Sequence, residues 1–390
     1  MMSKGNNSDD PNNTEELEEG SRSILLGIAS QLTKGMDLHR VTLPTFVLEP
    51  RSMLERITDF MSHPEFILNA SSIDDPLERF IAVVRYYLSG WHIKPKGVKK
   101  PYNPVLGEYF RCRYKYSDGT EAYYIAEQVS HHPPVSSYYF CSPEHHVVVC
   151  GDIRPKSRFL GNSAATLMQG VSNIILADRH NERYEILMPN MYARGILFGT
   201  MTIELGDSSR VRCVTSDLVC DLEFKTKGFF SGQWNSVVGK IKKESTQEVL
   251  CEITGQWTNE LHIKNNKTGV KELLFDVKTA QIHPKEVAPE EEQDEYESRQ
   301  LWSKLTSAIR KRDMDGATDE KTLVEDRQRQ KAKSREERGE TWKPRFFNES
   351  NDEYTFKGTE GLDLSDPVKA KEHLQQVIFA KHTGSGQDSC

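Results

Sequence analysis

The chain has 390 residues, 36% of them hydrophobic and 28% charged, with a formal net charge of −7. That is enough apolar material for a sizeable core, which excludes global disorder, and it lacks the dominant basic field of a general nucleic-acid binder, so no nucleic-acid partner is expected. The seven cysteines, at 112, 141, 150, 213, 220, 251 and 390, are odd in number and show no CxxC spacing, which argues for reduced thiols rather than a disulfide framework or a zinc site.

Residues 1–20 carry Asp9, Asp10, Glu15, Glu16, Glu18 and Glu19 against one lysine, Lys4, and read as a disordered acidic tail. This polar start does not resemble a signal peptide, and no apolar run reaches the roughly 20 residues of a membrane-spanning helix, so a cytosolic protein that meets membranes from water is expected. Within 21–42, Ile24, Leu25, Ile28 and Leu32 fall at helical spacing and make a short amphipathic stretch. Leu43-Pro44-Thr45-Phe46-Val47-Leu48-Glu49 follows as an extended apolar segment. Helical period returns over 51–61 through Met53, Leu54, Ile57, Phe60 and Met61. Asp75-Pro76, an N-cap followed by proline, opens a second helix over 76–89.

From about residue 105 the texture changes to short strand-like runs: 106–116, 121–129, 135–141, 146–151, 172–177, 183–188, 199–205, 217–224, 236–242, 248–254 and 260–264. Asp118-Gly119 between the first two is a hairpin signal. Such a succession predicts a mostly β fold with some α, in which residues 105–280 make a large antiparallel, nearly closed β-barrel, because an open meander of that length leaves aggregation-prone edges. Residues 284–297 are a Pro- and Glu-rich connection. Helical patterning resumes over 296–340 through Leu301, Trp302, Leu305 and Ile309, with Lys321, Glu325 and Arg329 on one helical face. Residues 351–390 are left as a carboxy-terminal extension.

One constellation stands out. Glu127-Gln128-Val129-Ser130-His131-His132-Pro133-Pro134-Val135-Ser136 closely resembles the signature of the oxysterol-binding-protein family. Lys99-Lys100-Pro101-Tyr102-Asn103-Pro104-Val105-Leu106-Gly107-Glu108 is a second match, Lys321…Glu325…Arg329 a third, and Trp342-Lys343-Pro344-Arg345-Phe346-Phe347 a fourth. The resemblance covers about residues 22–350, in the family's order. Taken singly the pieces are weak: a His-His pair is more often structural, a Lys/Glu/Arg helix face is usually solvated, and Asn before Pro is usually a turn residue. Together they make a phosphate site in chemical terms. The imidazoles offer N–H donors and titrate near neutrality. The lysines supply point charges, and Arg329 supplies a forked donor.

The resemblance implies one lipid-binding domain over 43–350, with a lipid tunnel inside the barrel. It implies that Lys100, Asn103, His131, His132, Lys321, Glu325 and Arg329 bind the inositol phosphate of phosphatidylinositol 4-phosphate. The 43–49 segment looks like the branch that transports phosphatidylserine. That branch implies an acyl and headgroup pocket of Leu43, Phe46, Val47, Lys100, Asn103 and Ser157, and Val47 stands where it often has isoleucine. The expected function is exchange of phosphatidylserine for phosphatidylinositol 4-phosphate between membranes, with sterol as the alternative second lipid. Ile24, Leu25, Ile28 and Leu32 are the expected lid. No cofactor or metal is implied beyond the bound lipid, and the implied partners are membrane lipids, a transient membrane surface and an anchor protein at contacts between endoplasmic reticulum and plasma membrane. An enzyme acting on phosphoinositides and a lipid sensor are the competing classes. Against the first, the sequence holds no G-x-S-x-G, H-E-x-x-H or G-x-x-x-x-G-K-[ST] pattern.

Overall fold

The computed structural model describes Gly27 and residues 33–37, 44–95, 97–196, 201–227 and 233–380. The acidic tail, the expected lid residues Ile24, Leu25, Ile28 and Leu32, and Leu43 lie outside the described residues.

Strand β1 (Leu48–Ser52) runs into a short helix α1 (Met53–Arg56), which tightens to a 3₁₀ turn over Ile57–Met61. Helix α2 (Pro76–Ser89) follows, started by Asp75, whose carboxylate accepts from the backbone N–H groups of Leu77 and Glu78. Strand β2 (Lys100–Tyr102) pairs in parallel with β1. The long β region then comprises β3 (Tyr109–Lys115), β4 (Glu121–His131), β5 (Pro134–Ser142), β6 (Val147–Phe159), β7 (Ser163–Gln169), β8 (Ser172–Leu176), β9 (Glu182–Leu187), β10 (Asn190–Arg194), β11 (Thr202–Cys213), β12 (Leu218–Lys225), β13 (Ser236–Lys243), β14 (Val249–Gln256), β15 (Glu260–Asn265), β16 (Lys271–Asp276) and β17 (Lys285–Glu286). Helices α3 (Ser298–Leu301), α4 (Ser303–Arg310) and α5 (Met314–Glu337), the hairpin β18 (Phe347–Ser350) and β19 (Glu353–Phe356), and helix α6 (Pro367–Phe379) complete the chain.

The expected nearly closed barrel is not what forms. The fold is mixed α/β, and strands β3–β17 make one antiparallel sheet that ends at β16 on one side and β17 on the other without joining. Among the described residues closure is confined to a partial ring of six strands, in the order β6-β7-β10-β11-β9-β8 and back to β6. The ring exists because β6 and β11 are long enough to serve two partners along their length. Gly170, with φ +112°, lies where β6 passes from β8 to β7, and a Cβ there would stand 2.2 Å from the Asp152 carbonyl oxygen.

The edge argument that favoured closure is met by other means. Edge strand β17 is only two residues long, and its Glu286 is bridged to Arg113 and Lys115. Edge strand β16 begins with exposed Lys271 and Glu272. Short and charged edges resist further pairing. The apolar face between them is covered by α2, which packs against β12 and β16 and contributes Phe80, Val83, Val84 and Tyr87 to the main core. Arg79 of the same helix forms a forked ion pair with Glu182 of β9, at 2.7 and 3.0 Å, tying the helix to the ring. A second core lies under α6 and the β18–β19 hairpin, where Leu374, Ile378, Phe346, Phe347 and Phe356 cover Tyr109, Tyr123 and Tyr139.

Candidate functional site

The interior is not filled by side chains. A cavity of about 270 Å³ runs between the α1–α2 region and the ring, where a single water needs only about 15 Å³. Its apolar wall is drawn from Val47, Ile57, Phe60, Trp91, Ile153, Phe159, Ile203, Leu205 and Trp257. Met53, Met168, Met188, Met191 and Met201 also face it. Unbranched thioether side chains adapt to irregular ligands, which suits a flexible guest. Polar groups enter the wall mainly along residues 94–103 and from Arg56, Asp59, Gln128, Ser136, Ser157 and Thr166.

Lys100 and Asn103 both line this cavity. The parallel pairing of β1 with β2 sets them there, and the Lys99 ammonium donates to the Phe46 carbonyl at 2.7 Å, drawing the two segments together. Val47 lines the cavity, while Phe46 packs in a small cluster with Val47, Val98 and Met201. Ser157 of β6 lines it too, its hydroxyl 3.3 Å from that of Thr166. Lys100 feels Lys321 and Glu325 of α5: burial and then the Lys321 charge push its pKa down, and Glu325 opposes them. Lys321 and Glu325 form an ion pair at 2.8 Å. Two ammonium groups and one carboxylate leave the cluster with excess positive charge, which favours an anion.

Arg329 does not join this cluster. Its guanidinium donates to Asp326 at 2.5 Å and its side chain is 64% exposed. His131 and His132 sit at the turn between β4 and β5, with ring centroids 4.5 Å apart and a cis His132–Pro133 bond. Neither lines the cavity, although Gln128 and Pro134, on either side of them, do.

Helix α5 brings the charged pair into place by packing Ala317 and Val324 against Leu305, Ala308 and Ile309 of α4. Only Ala317 of its 24 residues is buried. Its start is held by Thr45, whose hydroxyl lies 3.4 Å from both the Met314 carbonyl and the Thr318 hydroxyl. Farther along, Gln328 accepts from the Leu106 backbone N–H at 3.3 Å, Lys331 bonds the Tyr296 hydroxyl, and the Arg335 guanidinium lies 5.3 Å over Trp342.

Two buried carboxylates that the sequence did not single out build the frame behind this wall. Glu108 accepts from the Ser52 and Ser298 hydroxyls, the Trp302 indole N–H and the Val105 backbone N–H, at 2.5 to 3.0 Å. Burial pushes its pKa up and these four donors pull it back. Glu127 accepts from the backbone N–H groups of Arg345 and Phe346, at 2.7 and 2.8 Å, and burial outweighs them to raise its pKa to about 7. Gly107, at φ +80°, lies flat against Trp342, where a Cβ would meet Cη2 at 2.6 Å. The sequence segments 99–108, 127–136 and 342–347 are thus in direct contact. Their shared occurrence is the only sequence signal that could have pointed to these carboxylates.

The family model for oxysterol-binding protein matches residues 27–362. An oxysterol-binding protein homolog of Schizosaccharomyces pombe is 51% identical over 344 residues, covering 85% of this chain and 72% of the relative. The "Oxysterol-binding protein homolog 6" of Saccharomyces cerevisiae is 45% identical over 353 residues, covering 88% and 78%. Among solved structures, the Osh1 ORD domain in complex with cholesterol aligns with a TM-score of 0.75 at 22% identity, over 93% of this chain and 90% of that one. This chain belongs to the oxysterol-binding protein family, a lipid-transfer module that works without vesicles and is not an enzyme.

Proposed function

We propose that the protein takes one membrane lipid into this cavity, carries it through water and exchanges it at a second membrane, with phosphatidylinositol 4-phosphate as one of its two cargoes. The observation that carries the reading is an apolar cavity with Lys100 and Asn103 in its wall and the Lys321–Glu325 pair beside Lys100. A carrier must offer acyl chains a dry wall, because each methylene exposed to water costs about 0.8 kcal/mol and two chains cost tens. The excess positive charge supports an anionic headgroup, for which Lys100, Asn103, His131, His132, Lys321, Glu325 and Arg329 remain the proposed ligands, Arg329 after leaving Asp326. The Osh3 ORD solved in complex with PI(4)P shares the fold, with a TM-score of 0.67 at 18% identity.

Two readings of the second lipid have support. Sterol is favoured by the comparisons, since the Osh1 ORD domain is solved with both cholesterol and ergosterol. Phosphatidylserine is favoured by the 43–49 segment and by Ser157 in the cavity wall. Membrane contact sites are the proposed workplace, with an anchor protein and a lid from residues 21–42.

The deciding experiment is transfer between two liposome populations, with sterol and phosphatidylserine in parallel arms and phosphatidylinositol 4-phosphate supplied or withheld in the acceptor. The lipid that moves faster when the phosphoinositide is supplied is the second cargo. Transfer of neither rejects the proposal. The double variant His131→Ala/His132→Ala is expected to lose phosphoinositide extraction and keep most extraction of the second lipid. Equal loss of both in a folded variant removes the histidines from the headgroup site.

A further inference from the structure

Beyond the cavity the core keeps a second, smaller compartment of about 20 Å³. Ile57, Phe60 and Met188 line both spaces, so these three side chains stand between them. The far wall includes Val149 of β6 and Ile174 of β8, which are 3% and 0% exposed, and tyrosines of α2 and β5. The tyrosine hydroxyls are engaged with neighbours. Tyr86 donates to the Met61 sulfur at 3.0 Å, Tyr138 donates to the Ser172 hydroxyl at 2.5 Å, and Tyr87 bonds the Ser209 hydroxyl at 2.7 Å.

A space of this size admits one small group, since about 15 Å³ suffices for a water. With the phenol hydrogens spent on neighbours, the wall offers a water few of the roughly three bonds it needs. Close packing ordinarily removes such a space, because the atoms around it forfeit contacts. A methyl group restores those contacts and asks for no hydrogen bond. Of the three partition side chains, Phe60 is packed edge-on against Trp91 at 4.8 Å, whereas Met188 is unbranched and adaptable. We infer that this compartment is the end-stop for an acyl chain of the bound lipid. The chain lies in the main cavity, passes Met188 and seats its terminal methyl against Val149 and Ile174. The inference rests on the lipid-carrier reading of the cavity. It adds to that reading a limit on chain length, set far from the cluster at Lys100.

Val149→Ile adds one methyl group to the far wall and Ile174→Val removes one, changes that a core of this kind accommodates. The full-length protein and both variants are titrated with phosphatidylcholine vesicles carrying phosphatidylinositol 4-phosphate or phosphatidylserine. Each lipid is supplied as a series whose acyl chains lengthen two carbons at a time. Every affinity is taken relative to the wild type at the same length, so the cost of leaving the vesicle cancels. The longest chains that the wild type takes are expected to bind about fourfold more weakly to Val149→Ile, the worth of one methylene. They are expected to gain by a similar factor with Ile174→Val. The shortest chains bind all three proteins alike, which also shows an intact fold. Any other pattern, such as wild-type length profiles in both variants or a loss equal at every length, overturns the end-stop and leaves the carrier reading standing. Failure of the wild type to bind either lipid at any length overturns the carrier reading and the end-stop with it.

Discussion

Glu127 opens the ten-residue signature, yet its carboxyl group turns to the carboxy-terminal segment and not to the cavity. Its pKa rises from the usual 4.5 to about 7 on folding because burial dominates. The folded state therefore holds this proton more tightly than the unfolded chain does. Its contribution to stability falls as pH rises from about 4.5 to about 7, by on the order of 3 kcal/mol, and is constant above that. Glu127→Gln is expected to flatten stability across that window, which urea unfolding at several pH values will check. An unchanged pH slope would contradict the assignment. Glu108 is a sharper case of the same economy, with four donors converging on one carboxylate. Glu108→Gln replaces an acceptor oxygen by an NH₂ that faces donors, and a loss of about 2–3 kcal/mol is expected in the same assay. Neither role was legible in the sequence, because a glutamate is exposed by default and only the fold shows which backbone groups it serves. Lys100 and Asn103 were legible, since the match to a known order of segments carried them to the cavity wall.

At the scale of elements, the contact between Gly107 and Trp342 holds the end of α5 against the 99–108 segment. Gly107→Ala meets two obstacles at once, a left-handed φ of +80° and a ring 2.6 Å from the new Cβ. The expected result is a loss of about 1–3 kcal/mol and faster proteolysis after residue 310, as Trp342 lets go of the turn. Wild-type stability and cleavage would remove this contact from the account. The beginning of α2 is written locally in Asp75-Pro76, and the β3–β4 turn in Asp118-Gly119, because caps and tight turns depend on adjacent residues. Strands β7 and β10 were not anticipated: Ser163-Ala164-Ala165-Thr166 and Asn190-Met191-Tyr192-Ala193-Arg194 show no alternation of apolar and polar residues. Their partly exposed, cavity-facing pattern follows from lining an interior space. Strand β11, read as 199–205, extends to Cys213 because its second half serves β9 and β12.

For the whole molecule, the expectation of a nearly closed barrel went wrong at one step. Local pattern gave strands and turns, but closure depends on which distant strands meet, and here β8 and β9 close a partial ring while the two sheet ends stay apart behind α2. The interior space survives that correction, since it is enclosed by the ring together with the 46–60 and 90–104 segments rather than by a continuous barrel. Under the proposed function the expected consequence is exclusion: one cavity beside one cluster of excess positive charge is expected to take one lipid at a time. Native mass spectrometry of the protein loaded with its second lipid, during titration with phosphatidylinositol 4-phosphate, tests this most directly. The account predicts one-for-one replacement, with no species carrying both lipids. A ternary complex, or retention of the first lipid at saturating phosphoinositide, would contradict it.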